Sequence, residues 1–271
     1  MYYYAKSKKG YLHAKENLGC QDYSSVYHDI ERTIITCCDG HGGKVYIRSN
    51  VGAKMASFAI ENVLKSLNNS SFRLDEEELE NKIKLELLCE WNKLIERKIT
   101  NSSVKKKELE GLNDDQIELL KNHPVVAYGT TLCGALVYKN KLVVVSIGDC
   151  ESVLISKGKV ARVFDTNDDP AGNITYSMCQ DDAYQYLRVK ILNFNNYDGI
   201  ILCTDGVSGP YQSYDNFDKS FIKPITANLL MTSSYTNVSN IVDDIADKVG
   251  VGDDVSLAFI IKDKTKKKYY V

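Results

Sequence analysis

The chain has 271 residues, 44% of them hydrophobic and 26% charged, which is enough apolar material for one large buried core. Its formal net charge of -2 lacks the basic excess of a nucleic-acid-binding protein, so nucleic acid is excluded as an expected partner. No stretch approaches the ~20 apolar residues of a membrane span. Met1–Lys6 lacks the apolar run of a signal peptide. We therefore expect a cytoplasmic, monomeric protein with no membrane partner.

The eight cysteines do not indicate cysteine chemistry. Several lie inside apolar runs, as Cys37, Cys38 and Cys203 do, and buried free cysteine behaves as a small hydrophobe. None has an arginine six positions later, as a nucleophilic cysteine loop would need, and no Cys-x-x-Cys pair suggests zinc. We expect reduced thiols rather than a disulfide framework.

In chain order, the first half predicts strands followed by helices. The first 40 residues are expected to form strands, among them Arg32–Cys38, which is rich in β-branched residues and ends at the turn signal Asp39-Gly40. Apolar residues then recur every three to four positions, which predicts helices. These helices are expected at 44–67, at 75–99 with a buried stripe of Leu85, Leu88, Trp91 and Ile95, and at 114–121.

The second half is dominated by predicted strands joined by short turns. They are expected at 130–138, 141–147, 151–156, 159–164, 187–194, 199–203 and 255–262. Helices are expected at 218–231 and 237–249, an acidic loop at 165–186 and a solvated basic tail at 264–268. Hairpin-linked strands favour antiparallel sheets, so we predict an α+β fold with two such sheets covered by helices. No linker or repeat is evident, and residues 1–271 are read as one domain.

Aspartates recur at the ends of the predicted strands, beside glycine. Asp39, Asp149, Asp205 and Asp253 share this position, and Asp22 lies just before another strand. A single Asp-Gly pair after a strand is more often a turn than a ligand. Repetition favours carboxylates that converge on a hard cation such as Mg²⁺ or Mn²⁺, which prefers oxygen ligands.

His41 lies between two glycines, two residues after Asp39. A lone histidine is usually a packing or surface residue, but this one is expected to project from a tight loop beside the strongest ligand candidate. No zinc-type cluster surrounds it in the sequence. A general acid is therefore the favoured interpretation.

Cys38–Gly43 contains Asp-Gly-His-Gly-Gly, which resembles the signature of the metal-dependent protein serine/threonine phosphatases of type 2C. Five further segments resemble the remaining motifs of that family and occur in the same order. They are Gly19–Asp22, Gly129–Leu132, Gly148-Asp149, Thr204–Gly206 and Asp253–Ser256. The resemblance covers about Gly19 to Ile261, nearly the whole chain.

The resemblance implies a four-layer α-β-β-α sandwich that hydrolyses phosphoserine and phosphothreonine in proteins. Two cations, Mn²⁺ or Mg²⁺, would activate a water for attack on phosphorus, with a weaker third cation as an option. Asp39 would bridge the pair as a catalytic ligand, and His41 would protonate the leaving oxygen. The implied metal ligands are Asp22 (through water), Asp39, Gly40 (through its carbonyl), Asp149 (third cation), Asp205 and Asp253. Phosphoproteins are the implied substrates, and a cognate serine/threonine kinase is a candidate partner.

The chain departs from the family pattern in ways typical of a divergent, bacterial-type branch. Gln21 replaces a glutamate, Cys150-Glu151 replaces Ser-Arg, and Asp254 replaces an asparagine. No arginine precedes Arg32 to clamp phosphate. Either the clamp is absent or its place is taken by one of Lys8, Lys9, His13 and Lys15.

Two other functions compete with an active phosphatase. A non-catalytic relative could bind phosphoproteins or a kinase without turnover, which loss of a core aspartate or of the histidine would favour. Asp39, His41, Asp205 and Asp253 are all present. A purely structural sandwich with coincidental Asp-Gly turns is disfavoured by the order of the motifs.

Overall fold

The computed structural model of the chain describes residues 1–164, 175–232 and 234–263. Within them, ten strands form two five-stranded sheets, and every neighbouring pair of strands is antiparallel. The strands are β1 (Tyr2–Lys8), β2 (Tyr23–His28), β3 (Arg32–Cys38), β4 (Leu132–Tyr138), β5 (Lys141–Ile147), β6 (Glu151–Ser156), β7 (Lys159–Arg162), β8 (Arg188–Asn193), β9 (Gly199–Cys203) and β10 (Val255–Ile261). The first sheet has the order β1-β10-β9-β6-β7, and the second has the order β2-β3-β4-β5-β8.

Helices connect the strands, and the longest follow β3 directly. In chain order the α-helices are α1 (Tyr11–Lys15), α2 (Ser49–Ser66), α3 (Glu76–Asn101), α4 (Asp114–Asn122), α5 (Ala183–Tyr186), α6 (Asp205–Ser208), α7 (Tyr214–Phe217), α8 (Lys223–Thr232) and α9 (Tyr235–Asp244). Two π-helical turns, Asp218–Ile222 and Ile245–Val249, precede α8 and follow α9. In the described part of the chain, none of the helices combines the length and apolar character needed to cross a bilayer.

The core is divided into three apolar layers, which confirms the predicted α-β-β-α sandwich. Ile35 of β3 packs between the two sheets. The preceding residue, Ile34, points the other way and joins the cluster that contains Trp91 of α3. On the far side, Phe259 of β10 packs with Leu229 of α8. Because the central strands are covered on both faces, their sequences are apolar throughout rather than alternating.

The strands match their predicted bounds more closely than the helices do. Arg32–Cys38, Lys141–Ile147, Glu151–Ser156 and Gly199–Cys203 begin and end where expected. Helix α1 lies within the first 40 residues, for which the sequence predicts strands. The helix expected from residue 44 begins at Ser49, because the backbone of Arg48 is not helical and its amide donates to Ala127 instead.

The predicted buried stripe of α3 is wrong at one position. Leu85 is 60% exposed, so it faces solvent rather than the core. The buried residues of α3 recur every fourth position: Leu79, Ile83, Leu87, Trp91 and Ile95. At 100° per residue, Leu85 lies about 200° around the helix from Leu87, on the opposite face.

All eight cysteines are free thiols, and six of them are buried. Burial raises the pKa of Cys133 to about 12, which keeps its thiol protonated at neutral pH. Residues 165–174 of the expected acidic loop and the expected basic tail at 264–268 lie outside the described residues.

Candidate active site

The predicted aspartates meet where the ends of the two sheets lie together. In the second sheet Tyr23 pairs with Cys38, so Asp22 and Asp39 occupy neighbouring positions just beyond β2 and β3. In the first sheet Asp205 follows β9, and Asp253 precedes the adjacent strand β10. The antiparallel arrangement of both sheets therefore brings residues distant in sequence to one edge.

A hydroxyl group joins the two sheets at this edge. Thr204 Oγ1 donates to Asp22 Oδ2 at 2.8 Å and accepts from the Ser256 amide at 3.0 Å. Asp22 is buried, so this hydrogen bond fixes its carboxylate in the interior between the sheets.

The backbone around Asp39 is held by Thr130 and Thr131. The Asp39 carbonyl accepts from the Thr131 amide and from Thr130 Oγ1, both at 2.8 Å. The His41 amide donates to the Gly129 carbonyl at 3.1 Å, which completes a bridge between Gly40 and Thr130. Because the flanking residues make these hydrogen bonds, the bridge does not use the Gly40 carbonyl.

Gly40 is required by a close backbone approach. A Cβ atom there would lie 2.7 Å from the Gln21 carbonyl oxygen and 2.8 Å from the Ser49 backbone. Any side chain would push apart the Asp22 segment and the start of α2. The glycine of the Asp-Gly pair is thus explained by packing.

Burial and mutual proximity raise the pKa of three of the carboxyl groups. The pKa of Asp39 is raised by burial first and then by the charges of Asp22 and Asp205. Burial likewise raises the pKa of Asp22, against the stabilising hydrogen bond from Thr204. The pKa of Asp205 is raised by burial and by Asp149. A positive charge beside these three carboxyl groups would favour their ionised form.

His41 and Asp149 lie beside this cluster. The His41 ring packs against Tyr46 with ring centroids 4.9 Å apart, and burial lowers the pKa of its imidazole. The charge of Asp149 opposes that lowering, so the two groups are within electrostatic reach. Asp149 is exposed and accepts a hydrogen bond from Thr175 Oγ1 at 2.8 Å.

Asp253 is the predicted ligand that the structure places least tightly. Its side chain is 46% exposed, and its Oδ1 accepts from the Asp254 amide at 2.8 Å and lies 3.5 Å from His13 Nε2. His13, Asp253 and Asp254 have ligand-type atoms all within 4.8 Å of one another, and in the described ranges no other three such residues do. Asp39 is within electrostatic reach of Asp22 and Asp205, whereas the side chain of Asp253 lies beside His13.

Asp254 ties the N-terminal segment to β10, a role that the sequence interpretation missed. Its side chain is 1% exposed, and its carboxylate accepts from the Gly10 amide at 2.8 Å and from the Gln21 amide at 2.5 Å. His13 Nδ1 lies 3.0 Å from Asp254 Oδ2 but is not aligned for a hydrogen bond. The available signal was the aspartate found where the family has an asparagine, since two carboxylate oxygens can accept from several donors.

Of the four side chains considered for a phosphate clamp, only His13 faces the aspartates. Lys8 pairs with Asp243 and Asp247 on and after α9. Lys9 donates to the Leu18 carbonyl, and Lys15 lies over the ring of Tyr11. If one of these four side chains serves as the phosphate clamp, it is therefore His13.

The model of the protein phosphatase 2C family matches residues 9–241 of the sequence. The chain belongs to the protein phosphatase 2C family. This assignment makes it a serine/threonine phosphatase, a hydrolase of phosphoric monoesters. No curated protein matches the sequence.

Solved structures of bacterial phosphatases share the fold. A bacterial serine phosphatase is 15% identical with a TM-score of 0.63, and 96% of each chain is covered. Stp1 from Staphylococcus aureus is 14% identical with a TM-score of 0.58, covering 96% of this chain and 94% of the other. The catalytic domain of PstP, solved with two manganese ions, is 17% identical with a TM-score of 0.57, covering 95% of this chain and 96% of the other. At these identities the likeness concerns the fold.

The residues of this phosphatase 2C site fit the divalent cations on which the family depends. The candidate side chains are all carboxylates, the donors that Mn²⁺ and Mg²⁺ prefer. Asp205 Oδ1 is buried without a hydrogen-bond partner in the described structure, as a ligand atom would be.

Proposed function

We propose that this phosphatase hydrolyses phosphoserine and phosphothreonine in proteins with the help of two divalent cations, Mn²⁺ or Mg²⁺. The observation that carries the proposal is the group formed by Asp22, which is buried, and Asp39 and Asp205, which are partly buried; desolvation and neighbouring acids raise the pKa of all three carboxyl groups. Burying several acids side by side is costly unless a cation compensates them.

The proposed ligands divide between two principal cations. Asp39 would contact both, Asp205 and Asp253 would complete one site, and Asp22 and the Gly40 carbonyl would serve the other. Asp149, exposed at the rim, would hold a weaker third cation. When bound, the pair would neutralise the substrate phosphate and lower the pKa of a nearby water.

His41 would hold the proton that the leaving oxygen needs. The His41 ring is held between Tyr46 and the backbone of Gly129. The fit is close, since a Cβ atom at residue 129 would lie 2.4 Å from the Tyr46 ring and 2.9 Å from His41 Cδ2. A serine or threonine alkoxide is a poor leaving group, and its departure benefits from a general acid in contact with it.

The setting of the reaction follows from its chemistry. A protein kinase must supply the phosphoprotein that this enzyme consumes, so a cognate serine/threonine kinase is the proposed functional partner. We extend the proposal to a cytoplasmic enzyme, which the eight free thiols support, and to a monomeric one.

The test is hydrolysis of p-nitrophenyl phosphate with Mn²⁺, with chelator, and after readdition of Mn²⁺. We expect chelator to abolish the rate and the cation to restore it. Asp39→Asn should lower kcat by about 100-fold or more, because it removes the charge proposed to contact both cations. Asp115→Asn, at an exposed position of α4, serves as the matched control and should leave kcat unchanged.

Two results would contradict the proposal. Undiminished turnover in chelator would exclude a cation from the reaction, and an unchanged rate in Asp39→Asn would remove its central ligand. A chain that binds phosphopeptides but turns over neither substrate would instead be the non-catalytic relative.

A further inference from the structure

A cavity of about 690 Å³ lies between the start of α2, the end of α3 and the turn at Lys106–Leu109. Four of its lining residues lie in the connection between α3 and α4: Ser102, Lys105, Lys107 and Glu108. Tyr128 and Arg48 contribute to its wall. The cavity is thus built from segments next to the loop that carries Asp39 and His41.

Arg48 fixes the shape of this cavity. It is buried, and its guanidinium donates to Tyr128 Oη at 2.8 Å and to the carbonyls of Ser102 and Ser103 at 2.7 and 2.9 Å. It also makes a two-point contact with Glu108, at 2.7 Å from Nε to Oε1 and 3.1 Å from Nη2 to Oε2. The wall is therefore held by a complete set of charge-assisted hydrogen bonds.

The remaining charge of the cavity is positive. Glu108 is the one acidic side chain among its described lining residues, and Arg48 already neutralises it. Lys98, Lys105 and Lys107 also line the cavity, are exposed, and make no ion pair within the described residues. Lysines around a concavity concentrate positive potential more than isolated surface lysines do.

The cavity lies close to the proposed proton donor. Tyr46, whose ring contacts His41, is followed directly by Ile47 and Arg48 of the cavity wall. Two residues of chain span at most ~7 Å. On the other side, Tyr128 precedes Gly129, whose carbonyl accepts from the His41 amide.

We propose that this cavity binds acidic side chains of the substrate protein a few residues from the phosphorylated residue. It would make the enzyme selective for phosphorylation sites in acidic sequence. The proposal rests on the proposed function, since it names the class of substrate that the same site receives. Glutamate and aspartate fit because the cavity offers three ammonium groups that make no ion pair within the described residues, while its one acid, Glu108, is already paired with Arg48.

The test compares two phosphothreonine peptides, one flanked by glutamates and one by lysines. We expect kcat/KM for the acidic peptide to exceed that for the basic one by about tenfold, chiefly through KM, because exposed charge pairs are individually weak. The double variant Lys98→Glu/Lys105→Glu should abolish or reverse this preference. Its turnover of p-nitrophenyl phosphate should equal that of the wild type.

Lys223→Glu, an exposed lysine on α8 beside the other sheet, is the matched control and should retain the preference. Equal rates on both peptides in the wild type would overturn the proposal. So would a preference that survives the double variant, or one that Lys223→Glu removes equally.

A binding measurement separates this proposal from the proposed function. Fluorescence anisotropy of the labelled acidic phosphopeptide is recorded in chelator, where turnover is not required. Tighter binding of the acidic peptide by the wild type than by the double variant supports the cavity even in a chain without activity. Equal binding by both proteins overturns it.

Discussion

His41 differs from the aspartates around it because its proposed task is to deliver a proton rather than to hold a cation. Its amide is anchored to Gly129 and its ring to Tyr46, so its position does not depend on the carboxylates. The proposed role can therefore be tested separately from metal binding.

Replacing His41 by alanine should slow phosphopeptide hydrolysis by ~10²–10⁴-fold, because the alkoxide leaving group would depart without a proton. p-Nitrophenyl phosphate should be affected far less, since p-nitrophenolate is a good leaving group. Steady-state rates on both substrates, with Mn²⁺ affinity from calorimetry, provide the measurement. Equal losses on both substrates with unchanged affinity would argue against a general acid.

His13 contacts both consecutive carboxylates, Asp253 and Asp254. Through Asp253 it would orient a proposed ligand. Side chains that hold a metal ligand in place typically contribute about 10–100-fold to metal affinity. His13→Gln should therefore weaken Mn²⁺ binding by roughly that factor in calorimetry. His123→Gln, at an exposed position after α4, should leave it unchanged. Identical affinities for both variants would show that the contact does not orient Asp253.

At the scale of elements, α3 is defined by one buried stripe of every fourth residue. Its N-terminus is capped by the Asp75 side chain, which accepts from the Glu78 amide at 2.8 Å. Leu87 lies in the stripe and is fully buried, whereas Leu85, two residues earlier, is exposed. The two leucines provide a matched pair within one helix.

Leu87→Ala should lower the free energy of unfolding by about 2–5 kcal/mol, because it removes buried contacts and leaves a cavity. Leu85→Ala should change it by no more than about 0.5 kcal/mol. Urea unfolding followed by circular dichroism measures both. Comparable losses would contradict the exposure of Leu85, and a larger loss for Leu85→Ala would favour the register expected from the sequence.

At the scale of the whole molecule, the strands could be predicted because Arg32–Cys38 and Gly199–Cys203 are short apolar runs bounded by turn residues. The register of α3 could not, since Leu85 and Leu87 are equally apolar and only the neighbouring layer decides which is buried. The aspartates could be named from their motifs. The contact of Asp254 with Gly10 and Gln21 could not, because it joins segments more than 230 residues apart.

The place of β10 in the first sheet has a consequence for biosynthesis. This strand leaves the ribosome after every other described element, yet it lies between β1 and β9 and carries Asp253 and Asp254 just before it. Until it emerges, β1 has no neighbour on its sheet and the amides of Gly10 and Gln21 lack their acceptor. Pairing across such a sequence separation is slow to form. A chain translated only as far as β9 would therefore hold all five strands of the second sheet but no complete site, and phosphatase activity would begin only after β10 has been made.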